Sequence, residues 1–211
     1  MFKKFAEFTP TTWGILAVLL IGGGILFAMT RTKKRWSAHM LANAALCIAL
    51  SFILSYIRLY RMPQGGSITP ASMLPLLLFS VAYGVGPGFT AGAAYGLLQF
   101  MQGGDFVHPV QMLLDYPLAF AMLGLAGLSQ DNDSLLPLVL SILLGIFGRF
   151  LCAFLSGMVF WGIYAPEGQP VWLYSMVYNG IYLIPEAAIC IGLALVPQIR
   201  GLAKTMRRME R

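Results

Sequence analysis

The sequence predicts an all-α integral membrane protein, and three observations carry that reading. Hydrophobic residues make up 58% of the chain and charged residues only 10%, whereas an ordinary soluble domain carries about a quarter charged residues. The apolar residues fall in repeated runs approaching the roughly 20 residues that a bilayer crossing needs. The basic residues gather in short segments beside those runs, four of them at 31–35 and five at 200–211, where the positive-inside rule and anionic lipid both act.

The elements follow in order. The run at 12–29 exceeds the core of a signal peptide and lacks a small-residue cleavage site before the basic patch, so it reads as a retained helix over 12–30. Further spans are expected at 38–57, 70–84, 87–102, 109–128, 135–163 and 171–197, seven in all. Breaks separate them: MPQGG within 58–69, a glycine-rich junction at 83–88, residues 103–109, the acidic SQDNDS at 129–134 and YAPEGQP at 164–170. Seven spans with the C-terminus inside place nine basic residues in the cytoplasm and four (Lys3, Lys4, Arg58, Arg61) outside. That asymmetry orients the chain N-outside, C-inside. The loops at 58–69, 103–108 and 164–170 are then external.

Small residues mark the packing faces. Gly84, Gly88, Gly92 and Gly96 recur at every fourth position, a spacing that lets helix backbones approach closely where lipid supplies no hydrophobic drive between helices. This stripe reads as structural. Ala45 and Ala49, with Ala42 and Asn43 beside them, form a similar face on the second span. It packs internally or docks another membrane protein, and spacing alone favours internal packing. Cys47, Cys152 and Cys190 all lie within expected spans without ligand spacing and read as small packing residues.

Three ionisable residues lie inside these apolar runs: Asp115, Arg149 and Glu186. A charge at membrane depth costs a few kcal/mol or more unless it is paired or faces a wet cavity. Arg149 is expected to pair with Asp115 or Glu186, and Glu186 to be architectural. Asp115 stands apart. With Trp161, Tyr174 and Asn179 it falls in the outer half of the membrane, and Tyr116 is its neighbour. A carboxylate, aromatic faces and a carboxamide suit a flat, cationic, hydrogen-bonding small molecule: the acid supplies counter-charge, the rings stack, and the amide reads ring nitrogens. Trp161 reads about as well as an interface-belt residue.

No enzyme chemistry is visible. His39 and His108 lie far apart, no His, Cys or carboxylate spacing fits a metal, and no phosphate-cradling loop occurs. The net charge of +6 belongs to the membrane flanks, so nucleic acid is not an expected partner. No cofactor is implied.

The segments GGSITPASMLPLLL, HPVQMLLDYPLAFAMLGLAGL, FLSGMVFWGIYAPEG and YSMVYNGIYLIPE together resemble the ThiT (YuaJ) family, the thiamine-specific S-components of energy-coupling factor (ECF) transporters, over about residues 38–198. The resemblance implies a six-helix S-component core at 38–211 with a basic cytoplasmic tail. Residues 1–37 would be an extra N-terminal transmembrane helix and basic linker. It implies thiamine bound from outside, a transmembrane coupling protein with two cytoplasmic ATPases as partners, and the bacterial cytoplasmic membrane as location. It places ligand contacts at Asp115, Tyr116, Trp161, Tyr174 and Asn179, and turns Ala45 and Ala49 into the docking motif. Two departures stand out: Ala153 replaces a pocket histidine, and Gly65–Gly66 replace a tryptophan that some relatives place over the ligand. Both leave room for a related pyrimidine or thiazole compound. A stand-alone proton-coupled thiamine carrier using Asp115 or Glu186 is the other open reading, and a membrane scaffold with structural charges is a third.

Overall fold

In a computed structural model, residues 36–129 and 134–209 are described; the expected first span at 12–30 lies outside them. Helix α1 runs Ala38–Tyr56. The Ser37 hydroxyl caps it by accepting from the Met40 N–H at 3.1 Å, which satisfies one of the amides a helix start leaves open. A two-stranded antiparallel ribbon follows, β1 Tyr60–Arg61 paired with β2 Ser67–Ile68. Gly65 (φ 84°) and Gly66 (φ 83°) form its tip, where the left-handed backbone suits glycine.

Helix α2, Leu74–Tyr83, replaces the expected span at 70–84. Its ten residues, all buried, reach only about 15 Å, half a bilayer core. A helix apolar all round belongs at the centre of a bundle, and α2 touches α1 and the helical segments Val85–Met101, Pro109–Leu128, Leu135–Phe160 and Pro197–Arg208. Gly84 (φ 96°) alone separates α2 from α3, Val85–Met101.

Helix α4 occupies Pro109–Leu128 without a break, yet its geometry changes along its length. Leu114–Leu118 is a widened π turn containing Pro117, and Met122–Leu128 is tightened to 3-10 pitch. Proline removes one helical donor and crowds the preceding turn; the π turn accommodates it. At the start of α4, His108 Nδ1 accepts from the Val110 N–H at 3.1 Å, and burial holds this imidazole below its ordinary pKa.

Helix α5 spans Leu135–Phe160 and α6 Val171–Ala194, joined by a short 3-10 turn at Gly162–Tyr164 and an extended loop. Helix α7, Pro197–Arg208, stands where a basic tail was expected. It packs under the end of α2: the Tyr83 hydroxyl donates to the Met206 carbonyl at 3.0 Å and accepts from Asn43 Nδ2 at 2.7 Å, and Arg207 donates to the Val81 carbonyl at 3.0 Å. Among the described residues α1, α4, α5 and α6 are long and apolar enough to cross a membrane.

Gly88, Gly92 and Gly96 do what their spacing predicts, whereas Gly84, at φ 96°, stands ahead of α3 as the junction and not on its face. A Cβ at Gly88 would fall 3.0 Å from Gly124 Cα, one at Gly92 would meet the Phe120 carbonyl and lie 2.9 Å from Ala121 Cα, and one at Gly96 would meet the Tyr116 carbonyl and lie 2.8 Å from Pro117 Cα. The α3 and α4 backbones are therefore in direct contact. Ala45 and Ala49 behave differently. They are exposed, among exposed Leu41, Leu46, Leu50 and Ile53, while Ala44, Cys47 and Ser51 turn inward. Internal packing of the alanine pair, the preference from spacing, is thus corrected: α1 presents them on its outer face. Cys47, Cys152 and Cys190 are buried and unbridged on α1, α5 and α6.

Gly92→Val drives a branched side chain into the α4 backbone and is expected to destabilise the protein by at least about 1–3 kcal/mol. Gly201→Ala in α7 meets nothing within 4 Å and is expected to be neutral or stabilising by up to about 1 kcal/mol. Thermal unfolding in detergent, followed by circular dichroism, checks the contrast.

Candidate small-molecule site

The ribbon tip, the 102–105 loop, the first half of α4, the end of α5 and the start of α6 meet at one end of the bundle around a cavity of about 160 Å³. Asp115, Tyr116, Trp161, Tyr174 and Asn179 all line it. Five separate segments bring together residues far apart in the chain.

The π turn in α4 carries Asp115 and Tyr116, and such turns recur at functional sites because they re-aim side chains. Half-buried Asp115 accepts through Oδ2 from Gln111 Nε2 at 2.7 Å and from Trp161 Nε1 at 3.3 Å. Both donors are neutral. Gln111 is fully buried and fully used, since it also donates to the Asp105 carbonyl at 3.3 Å and accepts from the Val107 N–H at 3.0 Å. It therefore locks the carboxylate's position. The expected list lacks Gln111, although its place four residues before Asp115 puts the two on one helix face.

Tyr116 is a pillar for the neighbouring loop. Its hydroxyl accepts from the Asp105 N–H at 2.8 Å, and its ring meets Phe100 edge-on at 5.3 Å. Trp161 caps α5 and stacks on Tyr164 at 6.0 Å. Tyr174, Tyr178 and Tyr182 climb one face of α6, with ring centroids 5.7 and 6.5 Å apart.

Asn179 is buried, and its amide orientation is fixed by its surroundings. Nδ2 donates to the carbonyls of Ser175 at 2.9 Å and Ala153 at 3.3 Å, while Oδ1 accepts from the Tyr182 hydroxyl at 2.9 Å. Reversing the amide would set its oxygen against two carbonyls. Both amide hydrogens are therefore committed, and one lone pair on Oδ1 remains for a ligand.

The other two intramembrane charges separate. Glu186 is buried at 1% exposure, and its Oε1 accepts from Thr69 Oγ1 at 2.6 Å and Ser72 Oγ at 3.0 Å. It ties the segment after the ribbon to α6, an architectural role. Arg149 departs from expectation: it forms no ion pair with Asp115 or Glu186. Nη1 donates to Met73 Sδ at 2.7 Å, and the guanidinium carbon sits 4.2 Å from the Phe120 ring centre. The long side chain reaches a sulfur and an aromatic face rather than a carboxylate, and it lines the cavity. No group of His, Cys, Asp or Glu suited to a metal ion occurs among the described residues.

The ribbon tip lines the cavity as a lid, and Tyr178 holds it. Its hydroxyl accepts from the Gln64 N–H at 2.8 Å and donates to the Gly65 carbonyl at 3.0 Å, and a Cβ at Gly66 would strike the Tyr182 ring at 2.8 Å. A glycine tip lets the ribbon lie flat on α6.

A multi-pass helical bundle with an aromatic-lined cavity and a carboxylate lacking a protein counter-ion is a membrane protein built to hold a small molecule. Residues 41–205 match the family described as thiamine transporter protein (Thia_YuaJ), and the chain belongs to that family. It is 38% identical over 164 residues to the thiamine transporter ThiT of Bacillus subtilis (strain 168), covering 71% of this chain and 85% of the relative. It is 32% identical over 123 residues to the thiamine transporter ThiT of Lacticaseibacillus paracasei, covering 51% of this chain and 61% of that protein. A solved structure of ThiT from Listeria monocytogenes superposes with a TM-score of 0.67 at 25% identity, over 79% of this chain and 93% of that one.

Tyr178→Phe removes both hydrogen bonds to the ribbon tip. At about 1 kcal/mol each, their loss is expected to raise the open population of the lid about tenfold or more. The rate of tryptic cleavage after Arg61, compared with wild type, reads this directly.

Proposed function

We propose that this protein is the substrate-binding S-component of an ECF-type transporter that takes thiamine from outside a bacterial cytoplasmic membrane. Helices α1–α6 form its six-helix core, and α7 its basic cytoplasmic tail. The observation that carries the reading is Asp115: a carboxylate in an aromatic cavity, supported by two neutral N–H donors and by no paired protein cation. Leaving such a charge uncompensated at membrane depth is costly, and a permanently cationic ligand removes the cost. The thiazolium ring of thiamine supplies that charge. Trp161 and Tyr174 supply stacking and cation–π faces, and Tyr116 shapes the wall. The open lone pair of Asn179 accepts from the exocyclic amine of the pyrimidine.

The chain itself is a binding subunit and hydrolyses nothing. Uptake is driven by a transmembrane coupling protein with two ATPases. Exposed Ala45 and Ala49 on α1 support docking there, because small residues on a lipid-facing helix permit close backbone approach.

Tryptophan emission of the purified protein is expected to quench on titration with thiamine as Trp161 stacks, and no response up to millimolar thiamine would defeat the proposal. Asp115→Asn is expected to weaken binding at least about tenfold more than Glu186→Gln, as a lost counter-charge within a low-dielectric site is worth more than an altered anchor. Robust thiamine accumulation in cells lacking the ECF module would instead establish a self-sufficient carrier.

A further inference from the structure

Helix α7 begins almost where α6 ends, with only Leu195 and Val196 between Ala194 and Pro197. Two residues reach at most about 7 Å. The 24 residues of α6 rise about 36 Å, slightly more than a hydrocarbon core of roughly 30 Å. Its last turn therefore emerges at the membrane boundary, at the end of the bundle opposite the cavity, and α7 starts within the headgroup layer. Trp36 marks the same level. It precedes α1, is 40% exposed and stacks on Phe79 near the end of α2 at 6.4 Å, and tryptophan is enriched at membrane boundaries.

The side chains of α7 divide into three ridges. Ile199, Ala203 and Met206 turn inward onto the core. Arg200, Lys204 and Arg208 recur every fourth residue and share one flank; Lys204 and Arg208 are exposed and Arg200 is half-buried. Leu202 and Met209 form the opposite flank, 48% and 54% exposed. Arg207 is used otherwise. It donates to the Val81 carbonyl, one of the last four of α2, which a helix end leaves open.

An outer surface that sets a cationic ridge beside an apolar one is that of a helix lying in the membrane plane. In water the apolar flank would stay wet. The like charges at four-residue spacing would repel one another, and Pro197–Arg208 contains no Asp or Glu. At an anionic leaflet Leu202 and Met209 enter the acyl boundary, and lipid phosphates meet the cationic ridge.

We propose that α7 is an interfacial helix that binds anionic phospholipid headgroups through Arg200, Lys204 and Arg208, with Leu202 and Met209 seated among the upper acyl carbons. The binding uses neither the cavity nor thiamine. Its consequence is mechanical: Tyr83 and Arg207 tie α7 to α2, so headgroups held by α7 fasten the short central helix to the leaflet.

The test places the intact protein in nanodiscs of phosphatidylcholine alone, or of phosphatidylcholine and phosphatidylglycerol in equal parts. Wild type is expected to unfold about 5 °C or more higher in the anionic discs, and to lose that rise in 1 M salt, where the Debye length is about 3 Å. In native mass spectrometry it is expected to retain phosphatidylglycerol over phosphatidylcholine at least about tenfold. The triple variant Arg200→Gln, Lys204→Gln, Arg208→Gln is expected to lose most of the rise, while unfolding as wild type in neutral discs and keeping its tryptophan response to thiamine. Leu202→Ser with Met209→Ser keeps the charges and is expected to lose part of the rise. No rise in wild type, an equal rise in the triple variant, or the same rise from inorganic phosphate added to neutral discs would overturn the proposal. So would a triple variant that keeps its lipid response but no longer co-purifies with the coupling protein, since the ridge would then be a protein contact.

Discussion

The contact between the α3 and α4 backbones at Gly88, Gly92 and Gly96 is the constraint on which the rest of the bundle depends. In lipid there is little hydrophobic reward for bringing helices together, so association relies on dispersion and on close approach. Each glycine faces a different turn of α4, and the last faces the π turn that carries Asp115 and Tyr116. A side chain at any of these positions would push α4 outward. The carboxylate would then lose its register with Trp161 on α5. The site's geometry is set by a backbone contact between two of its own walls.

Upon that frame the structure distributes its intramembrane charges by different solutions. Glu186 is satisfied by hydroxyls from the segment before α2 and helps to hold that segment in place. Asp115 is positioned by a glutamine and an indole that leave its charge unneutralised. Arg149 lies on sulfur and an aromatic face. Pairing of Arg149 with Asp115 would have neutralised both charges within the cavity wall. Keeping them apart conserves a field across it, at the expense of stability that a closed ion pair or an apolar replacement would avoid.

How much of this was legible in the sequence follows from the range of the interactions involved. The glycine stripe was readable because its period is local and its consequence generic. The grouping of Asp115 with Trp161, Tyr174 and Asn179 was readable because burying a charge in an apolar run is conspicuous, and topology places helix ends together. The shortness of α2 was not readable, because an apolar run of fifteen residues looks alike whether lipid or protein surrounds it. The π turn was hidden too: Pro117 announces a disturbance without specifying its form. Arg149 was misread since composition suggests a carboxylate partner, while Met73 and Phe120 become neighbours only after three helices assemble. Ala45 and Ala49 show the limit of spacing arguments, because a small-residue face has no intrinsic inside or outside.

The three buried, unbridged cysteines have a use that their packing role conceals. Cys47, Cys152 and Cys190 sit on α1, α5 and α6, one thiol to a helix, each shut away from any reagent in water. A maleimide can reach one only when that helix parts from its neighbours. The native sequence therefore carries three chemical clocks, and the order in which they start records which wall of the bundle yields first.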